Sequence, residues 1–366
     1  MIPRIQQWLT EHHARLGVPA DLQPLVLINV NYKYVESYPV ISRVLLWFAK
    51  DAERPCLATK IADPGLTREA IDFSIQFQNK IDEALGHDLF LKIIEVADIN
   101  DRLVIIEEAS THRTFETDLK FSICGPERSH ARFARTFAAQ MDELGTLCGK
   151  LTTFDQGGTA KCWGDDATAR AHHFKNDCGF EDAQFPEASI EFMRDALNKI
   201  ELPNTPVLAD FVCPNIFPGP RLIDNVHPQL EEWNRTLPGH INAFRFLVPY
   251  FYSQPVDLLY PDWTLALASA LADSQQQSII AEPLGKLFAM IGLDIKTQTD
   301  IIWAFIMYAA IFEMQDKLDF YRESPFMIDG KIDTFRKWTQ RLCDVAATEV
   351  NADYLLASEE NLKAQP

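Results

Sequence analysis

The sequence predicts an α+β fold, in which a small five-stranded lobe with one helix precedes a larger, mainly helical lobe. Two observations lead to this prediction. Short segments rich in β-branched and aromatic residues lie before residue 110, and apolar residues at helical spacing dominate after residue 125. With 366 residues the chain is long enough for two domains. We place them at residues 1–112 and 113–366.

The elements of the first lobe follow one another as a helix, three strands, a helix and two strands. Residues 1–16 predict a short amphipathic helix. The predicted strands are "LVLINVNY" (25–32), "VISRVLLWFA" (40–49), "PCLATKIA" (55–62), "DLFLKIIEVA" (88–97) and "RLVIIEEA" (102–109). Thr67 is a suitable N-cap for the helix between the third and fourth strands. The expected apolar stripe of that helix is Ala70, Phe73, Phe77, Ile81 and Ala84. Glu69 precedes Phe73 by one turn and is expected beside the stripe.

The second lobe is predicted from apolar residues that recur every three or four positions. Two such series are Phe133, Phe137, Met141, Leu144 and Cys148, and Ile190, Met193, Leu197 and Ile200. Residues 154–180 between them are interpreted as a loop-rich insert. The apolar run from Ile301 to Met314 is too short to span a bilayer, so it predicts a buried core helix.

Charge and cysteine content narrow the classes of partner and compartment. A formal net charge of -18 disfavours nucleic acid and anionic membrane surfaces as partners. The chain has 7 cysteines and no CxxC motif, which indicates reduced thiols rather than a disulfide framework. No charged start followed by a long apolar run is found at the N-terminus, so no signal peptide is predicted. We expect a cytoplasmic protein; its oligomeric state is left open.

The stretch "VLADFVCPNIFPGPRLID" (207–224) concentrates oxygen-bearing side chains in a short, loop-like segment. Asn215 follows Asp210 by five residues, and Asp224 closes the segment after a Pro-Gly-Pro turn. "NIF" and "RLID" are expected to pair as a hairpin across that turn, which returns Asp224 toward Asp210 and Asn215. Mg²⁺ prefers hard oxygen ligands of this kind, and a second aspartate nearby can orient a hydroxyl nucleophile.

At these residues the sequence resembles the aminoglycoside phosphotransferase family, small-molecule kinases with a protein-kinase-like fold. That family carries a His-Gly-Asp segment, an Asn five residues later and an Ile-Asp at the end of a hairpin. The matching residues here are Leu208-Ala209-Asp210, Asn215 and Ile223-Asp224. The resemblance implies that Asp210 is the catalytic aspartate facing the acceptor hydroxyl, and that Asn215 and Asp224 hold Mg²⁺.

The resemblance continues upstream in the same order and covers residues 25–250. It implies that ATP is the phosphoryl donor. Lys60 would contact the nucleotide phosphates, and Glu69 would pair with Lys60 to position it. Backbone groups around Glu107 and Ala109 would bind adenine. The implied acceptor is a small molecule, and the acidic composition favours an amine-bearing alcohol or sugar.

Several residues depart from the family pattern. Leu208 and Ala209 replace the histidine and glycine, and the hairpin before Asp224 is shorter than in the family. The loop "YKYVESYPV" (32–40) has no glycine, so Ser37 or other side chains are expected to contact the phosphates. The alternative function is therefore a pseudokinase that keeps the fold, with or without nucleotide binding, and catalyses no reaction. A further alternative is an unrelated helical binding protein in which these Asp and Asn residues only cap turns.

Overall fold

The computed structural model describes residues 1–26, 44–62, 66–86, 88–124, 130–152, 160–203, 208, 215–223, 238, 240–252, 281–294 and 297–321. It is an α+β structure that falls into two compact units. The first unit comprises Met1–Thr114 and Asn215–Glu231, and the second comprises Phe115–Pro214 and Glu232–Pro366. The segment that starts at Asn215 thus belongs with the N-terminal residues. The predicted division at residue 112 places this segment in the second domain.

The first unit contains a five-stranded antiparallel sheet with the strand order β1-β2-β3-β5-β4. Its elements are α1 (Ile2–Leu16), β1 (Gln23–Val26), β2 (Val44–Phe48), β3 (Pro55–Ile61), α2 (Arg68–Leu85), β4 (Ile93–Asp98) and β5 (Leu103–Glu108). The predicted order of a helix, three strands, a helix and two strands is confirmed. Residues 27–43, which hold most of the first predicted strand and the start of the second, lie outside the described residues.

One face of this sheet is covered by α1. Ile5 and Leu9 of the helix are buried in one cluster with strand residues of that face. The strand members of this cluster are Leu45, Trp47, Leu57, Ala97, Val104 and Ile106. Because successive side chains of a strand point to opposite faces, the residues between these members project from the other face of the sheet.

The turn between β4 and β5 is explained by the residues that form it. Asn100 and Asp101 join β4 to β5 and both have positive φ, at 56° and 59°. A two-residue hairpin turn of this kind matches the twist of its strands, and Asn and Asp tolerate the left-handed conformation.

Pro24 lies inside β1, one residue before the predicted start of that strand. This is compatible with a sheet because β1 is an edge strand, where the missing N–H is not needed.

The expected apolar stripe of α2 is wrong at two positions. Thr67 is the N-cap as predicted and accepts a hydrogen bond from the backbone N–H of Ala70 at 3.2 Å. Phe73, however, is 37% exposed, and Ala84 is exposed as well. The residues that α2 buries are Ile71, Ser74, Phe77, Gln78 and Ile81. The buried face is rotated relative to the predicted stripe because it includes the polar residues Ser74 and Gln78. The Ser74 hydroxyl donates a hydrogen bond to the Ala70 carbonyl at 2.9 Å, so it is not left without a partner.

The second unit is helical in its described part. Its helices are α3 (Phe115–Cys124), α4 (His130–Thr152), α5 (Gly164–Asp177), α6 (Glu187–Leu197), α7 (Ile241–Tyr252), α8 (Ala281–Met290) and α9 (Thr299–Tyr321). The series of five apolar residues predicted for α4 is fully buried, as are the first three of the α6 series; Ile200 lies beyond the end of α6. Every residue of α9 from Ile301 to Met314 is buried, which confirms the predicted core helix. No helix among the described residues is long and apolar enough to cross a bilayer.

The interpretation of residues 154–180 as a loop-rich insert is wrong over α5, a helix of 14 residues. The start of α5 is fixed by the segment that follows α6. The Trp163 indole N–H donates to the Leu202 carbonyl at 3.0 Å, and the Gly164 N–H donates to the Asn198 side chain at 3.1 Å. The helix buries Ala167, Ala171 and Phe174, so packing overrides the polar, glycine-containing sequence around it.

Candidate functional site

Lys60 lies near the end of β3, on the face of the sheet that α1 does not cover. It stands opposite Val44 of β2 and Ile105 of β5. Leu57, three residues earlier, belongs to the cluster under α1, and an odd separation along a strand changes the face. The Lys60 side chain is half-buried. The Lys60 side chain therefore lies on the face of the sheet opposite α1. We call this face, which also carries Ala58 and Ile105, the inner face.

Glu107 occupies the same inner face on the neighbouring strand. It stands opposite Ala58, two residues from Lys60 along β3, so Lys60 and Glu107 are diagonal neighbours. Burial raises the pKa of Glu107 to about 7, and the positive charge of Lys60 opposes this rise. Ala109 follows directly after β5 and is half-buried. The expected phosphate-binding lysine and the end of β5 are thus brought together by strand pairing.

Glu69 has a different environment from the one that the resemblance implies. It is exposed in the first turn of α2, outside the buried face of that helix. Its pKa is lowered by a hydrogen bond from its own backbone N–H, by the Thr67 side chain and by the charge of Arg68. These are the interactions of a helix start, where an acidic side chain is favourable. Its pairing with Lys60 stays a prediction for a nucleotide-bound form.

Asn215 begins the predicted hairpin, which the structure confirms. β6 (Ile216–Phe217) pairs with β7 (Arg221–Leu222), and the Ile223 N–H donates to the Asn215 carbonyl at 3.0 Å. Gly219 in the connecting turn has a φ of 87°, which favours glycine. Asn215 itself is half-buried. The residue at the start of the hairpin and the residue before Asp224 therefore lie side by side.

The hairpin is fixed to the first unit at the end of β5. The Arg221 guanidinium donates to the Phe90 carbonyl at 2.9 Å and to the Glu108 carboxylate at 3.0 Å. Leu222 exchanges backbone hydrogen bonds with the strand-like residues before β4, donating to the Leu89 carbonyl at 2.8 Å and accepting from Leu91 N–H at 2.9 Å. Segments more than a hundred residues apart in sequence thus place Asn215 in the same unit as Lys60 and Glu107.

Leu208, two residues before Asp210, is anchored within the second unit. It is fully buried, and its backbone N–H donates to the Asn242 side chain at 3.1 Å. Its carbonyl accepts a hydrogen bond from the Arg245 guanidinium at 2.7 Å. Arg245 also donates to the Glu313 carboxylate, and both side chains are almost fully buried. A buried ion pair that links α7 to α9 therefore holds the backbone immediately before the candidate catalytic aspartate.

Four residues in these two sets of hydrogen bonds are not evident from motifs: Arg221 in the first unit, and Asn242, Arg245 and Glu313 in the second. A signal for two of them exists in the sequence. Arg245 is the single charged residue of "INAFRFL" (241–247), and Glu313 is the single charged residue of the apolar run from Ile301 to Met314. A single charge in a buried helix requires a partner, so two such residues of opposite sign form a candidate pair.

Ser37, Asp210 and Asp224 lie outside the described residues, so their expected roles stay predictions. Within the described parts of the chain, no group of three or more His, Cys, Asp or Glu side chains is arranged to hold a metal ion. That search does not include the two aspartates, and it leaves the expected site at Asn215 and Asp224 untested. The donor set itself suits Mg²⁺, because an amide oxygen and a carboxylate are hard oxygen ligands.

The sequence matches no protein-family model and none of the curated proteins. Among solved structures, one crystal form of a glucosamine kinase aligns over 94% of this chain and 81% of its own, with 11% identity and a TM-score of 0.48. A second crystal form has 13% identity, 94% and 83% coverage and a TM-score of 0.45. A glucosamine kinase in complex with glucosamine, ADP and inorganic phosphate has 12% identity, 93% and 77% coverage and a TM-score of 0.36. Since all three TM-scores lie below 0.5, these likenesses establish neither a shared fold nor a shared activity.

Proposed function

We propose that this protein is an ATP-dependent phosphotransferase of the aminoglycoside phosphotransferase type, acting on a hydroxyl group of a small molecule. One observation carries the proposal. The hairpin that begins at Asn215 is hydrogen-bonded to the end of β5, in the same unit as the inner-face lysine Lys60. The resemblance predicts roles in nucleotide and metal binding for these three places, and hydrogen bonds between segments distant in sequence bring them into one unit.

The proposed roles in nucleotide binding fall to the first unit. Lys60 would neutralise phosphate oxygens, with Ser37 as a further phosphate contact. Backbone groups around Glu107 and Ala109 would bind the adenine base, and Glu69 remains the residue that the resemblance pairs with Lys60. Asn215 and Asp224 would hold Mg²⁺, which supplies charge neutralisation at the phosphates when bound.

The proposed catalytic role falls to Asp210. Phosphoryl transfer needs mainly positioning and charge stabilisation from the protein. Asp210 would accept a hydrogen bond from the acceptor hydroxyl, align its oxygen for attack and take its proton as the new bond forms. The buried anchoring of Leu208 by Asn242 and Arg245 supports this role, because it fixes the backbone two residues earlier. Leu208 thus makes its anchoring bonds through backbone groups, where the family has a histidine.

A pseudokinase remains the second candidate, and the short connection in the hairpin favours it. Only Pro218, Gly219 and Pro220 separate β6 from β7. A shorter hairpin leaves less room to present two metal ligands. Saturation with nucleotide stabilises any protein that binds it, by about 2.7 kcal/mol at a hundredfold excess over Kd. Stabilisation by MgATP without transfer to any acceptor would therefore favour the pseudokinase.

The proposal is tested with Asp210→Asn, which keeps the size of the side chain and removes its charge. We expect MgATP binding to be nearly unchanged and the rate of transfer to fall by roughly 10²-fold or more, the scale of a positioned acid or base. The measurement is single-turnover transfer of radiolabelled γ-phosphate to a panel of amine-bearing sugars and alcohols. Asp224→Ala is the matched variant, since it should remove the Mg²⁺ dependence of ATP binding instead. Equal transfer rates in wild type and Asp210→Asn would contradict the catalytic assignment.

A further inference from the structure

The inner face of the sheet offers Lys60 a carboxylate other than the one on α2. Lys60 faces Ile105 across the β3–β5 ladder, and Glu107 faces Ala58, so both side chains leave the same face two positions apart. Diagonal neighbours in an antiparallel pair are within reach of long side chains. The charge of Lys60 favours the charged form of Glu107 and so opposes the rise in its pKa.

The carboxylate of Glu69 is directed elsewhere. It is exposed, interacts with Thr67 and with its own backbone N–H, and has Arg68 as its charged neighbour. The buried face of α2 carries uncharged residues, with Ser74 and Gln78 as its polar members. Among the described residues of α2, no glutamate lies on the buried face, and Glu69 lies outside it.

We propose that Glu107 is the positioning residue for Lys60, holding its ammonium group on the inner face of the sheet where nucleotide phosphates bind. This inference rests on the proposed function, since Lys60 must be the phosphate-binding lysine for its position to matter. The family pattern positions the lysine from a helix, by Glu69 of α2. Here the lysine is positioned from the neighbouring strand, by Glu107 of β5. The pair is therefore set by the sheet register, and it forms without any movement of α2.

The pair is sensitive to pH near neutrality. The pKa of Glu107 is about 7 because burial favours its neutral form, while Lys60 favours the charged form. The residues that flank Glu107 on its face are Ala58 of β3 and Ile93 of β4, neither of which titrates. The neighbouring residue, Glu108, projects to the opposite face and binds Arg221. Acidification from pH 8 to pH 6 should thus neutralise Glu107 and release Lys60.

The experiment measures the Kd of MgATP by calorimetry at pH 6 and pH 8 for wild type and variants. Glu107→Gln keeps the shape of the side chain and removes its charge. We expect it to weaken binding about tenfold at pH 8, the scale of a lost charge-assisted hydrogen bond, and to have little effect at pH 6. Glu83→Gln, at an exposed glutamate of α2, is the matched control and should bind as wild type does. Glu69→Gln tests the competing pairing that the resemblance implies. Protonation of the nucleotide itself is common to all variants, so it cancels in the comparison.

A second comparison separates positioning from a merely structural role. In a Lys60→Met background, Glu107→Gln should cause no further loss of affinity, because the residue acts through Lys60. In nucleotide-free protein, Lys60→Met should raise the pKa of Glu107, followed by carbon-13 NMR of labelled glutamate.

Three results would overturn the inference: wild-type affinity in Glu107→Gln at pH 8, additive effects of the two substitutions, or a loss of affinity in Glu69→Gln. Failure of the wild type to bind MgATP at either pH would contradict the proposed function instead. In that case the NMR titration still decides whether Lys60 and Glu107 are partners, since an unchanged pKa in Lys60→Met would exclude the pair.

Discussion

Glu107 is a partly buried titratable residue whose charged form is unfavourable for the stability of the fold. Glu107 is held on a partly buried sheet face with a pKa of about 7. A carboxyl group whose pKa is raised on folding favours the folded state when it is protonated. Its contribution is fully present below the unfolded pKa of 4.5 and is lost as the pH rises through 7. At neutral pH and above, Glu107 therefore lowers the stability of the first unit.

The expected consequence is that Glu107→Gln stabilises the protein at pH 8. The gain should be about 1–3 kcal/mol in the free energy of unfolding, and it should shrink as the pH falls from 7 to 4.5. The measurement is urea denaturation of both proteins across this pH range. The other carboxyl groups titrate alike in the two proteins, so they cancel in the difference. If the variant is no more stable than wild type at pH 8, burial does not raise the pKa of Glu107.

The same substitution is expected to impair nucleotide binding and to increase stability. This combination is common for residues retained for function, because an optimal core would not contain them.

At the scale of secondary-structure elements, helix α7 is tied to helix α9 by the pair Arg245–Glu313. Both side chains are almost fully buried, and Arg245 also stacks over Phe312, 5.0 Å from the ring centroid. Removing one partner of a buried ion pair leaves an uncompensated charge and typically costs about 3–5 kcal/mol. Replacing both partners by apolar residues of similar size removes that charge.

We therefore expect Arg245→Met and Glu313→Leu each to destabilise the protein by about 3–5 kcal/mol, and the double variant to be more stable than either single variant. Guanidinium denaturation of the three variants and the wild type measures this coupling. If the two single effects simply add in the double variant, the pair does not act as a unit. The double variant should still lose transfer activity, because Leu208 loses the Arg245 hydrogen bond to its carbonyl.

Helix α4 approaches helix α8 closely at two glycines, which offer a matched pair of variants. A Cβ atom at Gly149 would lie 2.7 Å from the backbone carbonyl oxygen of Met290, whereas one at Gly145 would lie 2.6 Å from the flexible sulfur of the same residue. Gly149→Ala should therefore destabilise by about 1–3 kcal/mol, since the backbone must shift. Gly145→Ala should cost clearly less, because the Met290 side chain can rotate away. Thermal unfolding of both variants tests this order, and equal losses would contradict it.

The sequence predicts those elements that have strong periodicity and fails where polar residues are buried. The spacing of Phe133, Phe137 and Met141 determines the buried face of α4 without further information. In α2 the stripe is misassigned because Ser74 and Gln78 take core positions, a choice that depends on tertiary hydrogen bonds. Helix α5 is missed for a similar reason, since its start depends on Asn198 and Leu202.

The candidate site is predictable in part for the same physical reason. The hairpin after Asn215 follows from local turn chemistry, because "FPGPR" permits few alternatives. The neighbourhood of Lys60 depends on the register between β3 and β5, which no local motif specifies. Sequence reasoning assigns Glu69 as the partner of Lys60 from the family pattern, and this assignment stays a prediction. It does not foresee that the register makes Glu107 a diagonal neighbour of Lys60.

For the whole molecule, the formal net charge of -18 opposes the approach of any anionic ligand. MgATP, the proposed donor, is itself anionic, so its binding would depend on local cations such as Lys60 and would be weakened by the field of the remaining chain. This is the reverse of electrostatic steering, in which opposite charges accelerate association and added salt slows it. Salt screens charges over about 30 Å at 0.01 M and about 10 Å at 0.1 M ionic strength.

We therefore expect the association rate constant of a fluorescent ATP analogue to rise, by about twofold or more, when the ionic strength increases from 0.01 M to 0.1 M. The distant acidic groups are screened over this range, whereas the contact between Lys60 and the phosphates is short and little affected. Stopped-flow mixing at fixed free Mg²⁺ measures the rate constant, and Lys60→Met separates the two contributions. The variant should keep the positive salt dependence, because it arises from the chain as a whole, and should dissociate faster because the phosphate contact is lost. An association rate that falls with salt in the wild type would show instead that a local positive field outweighs the net charge at the nucleotide site.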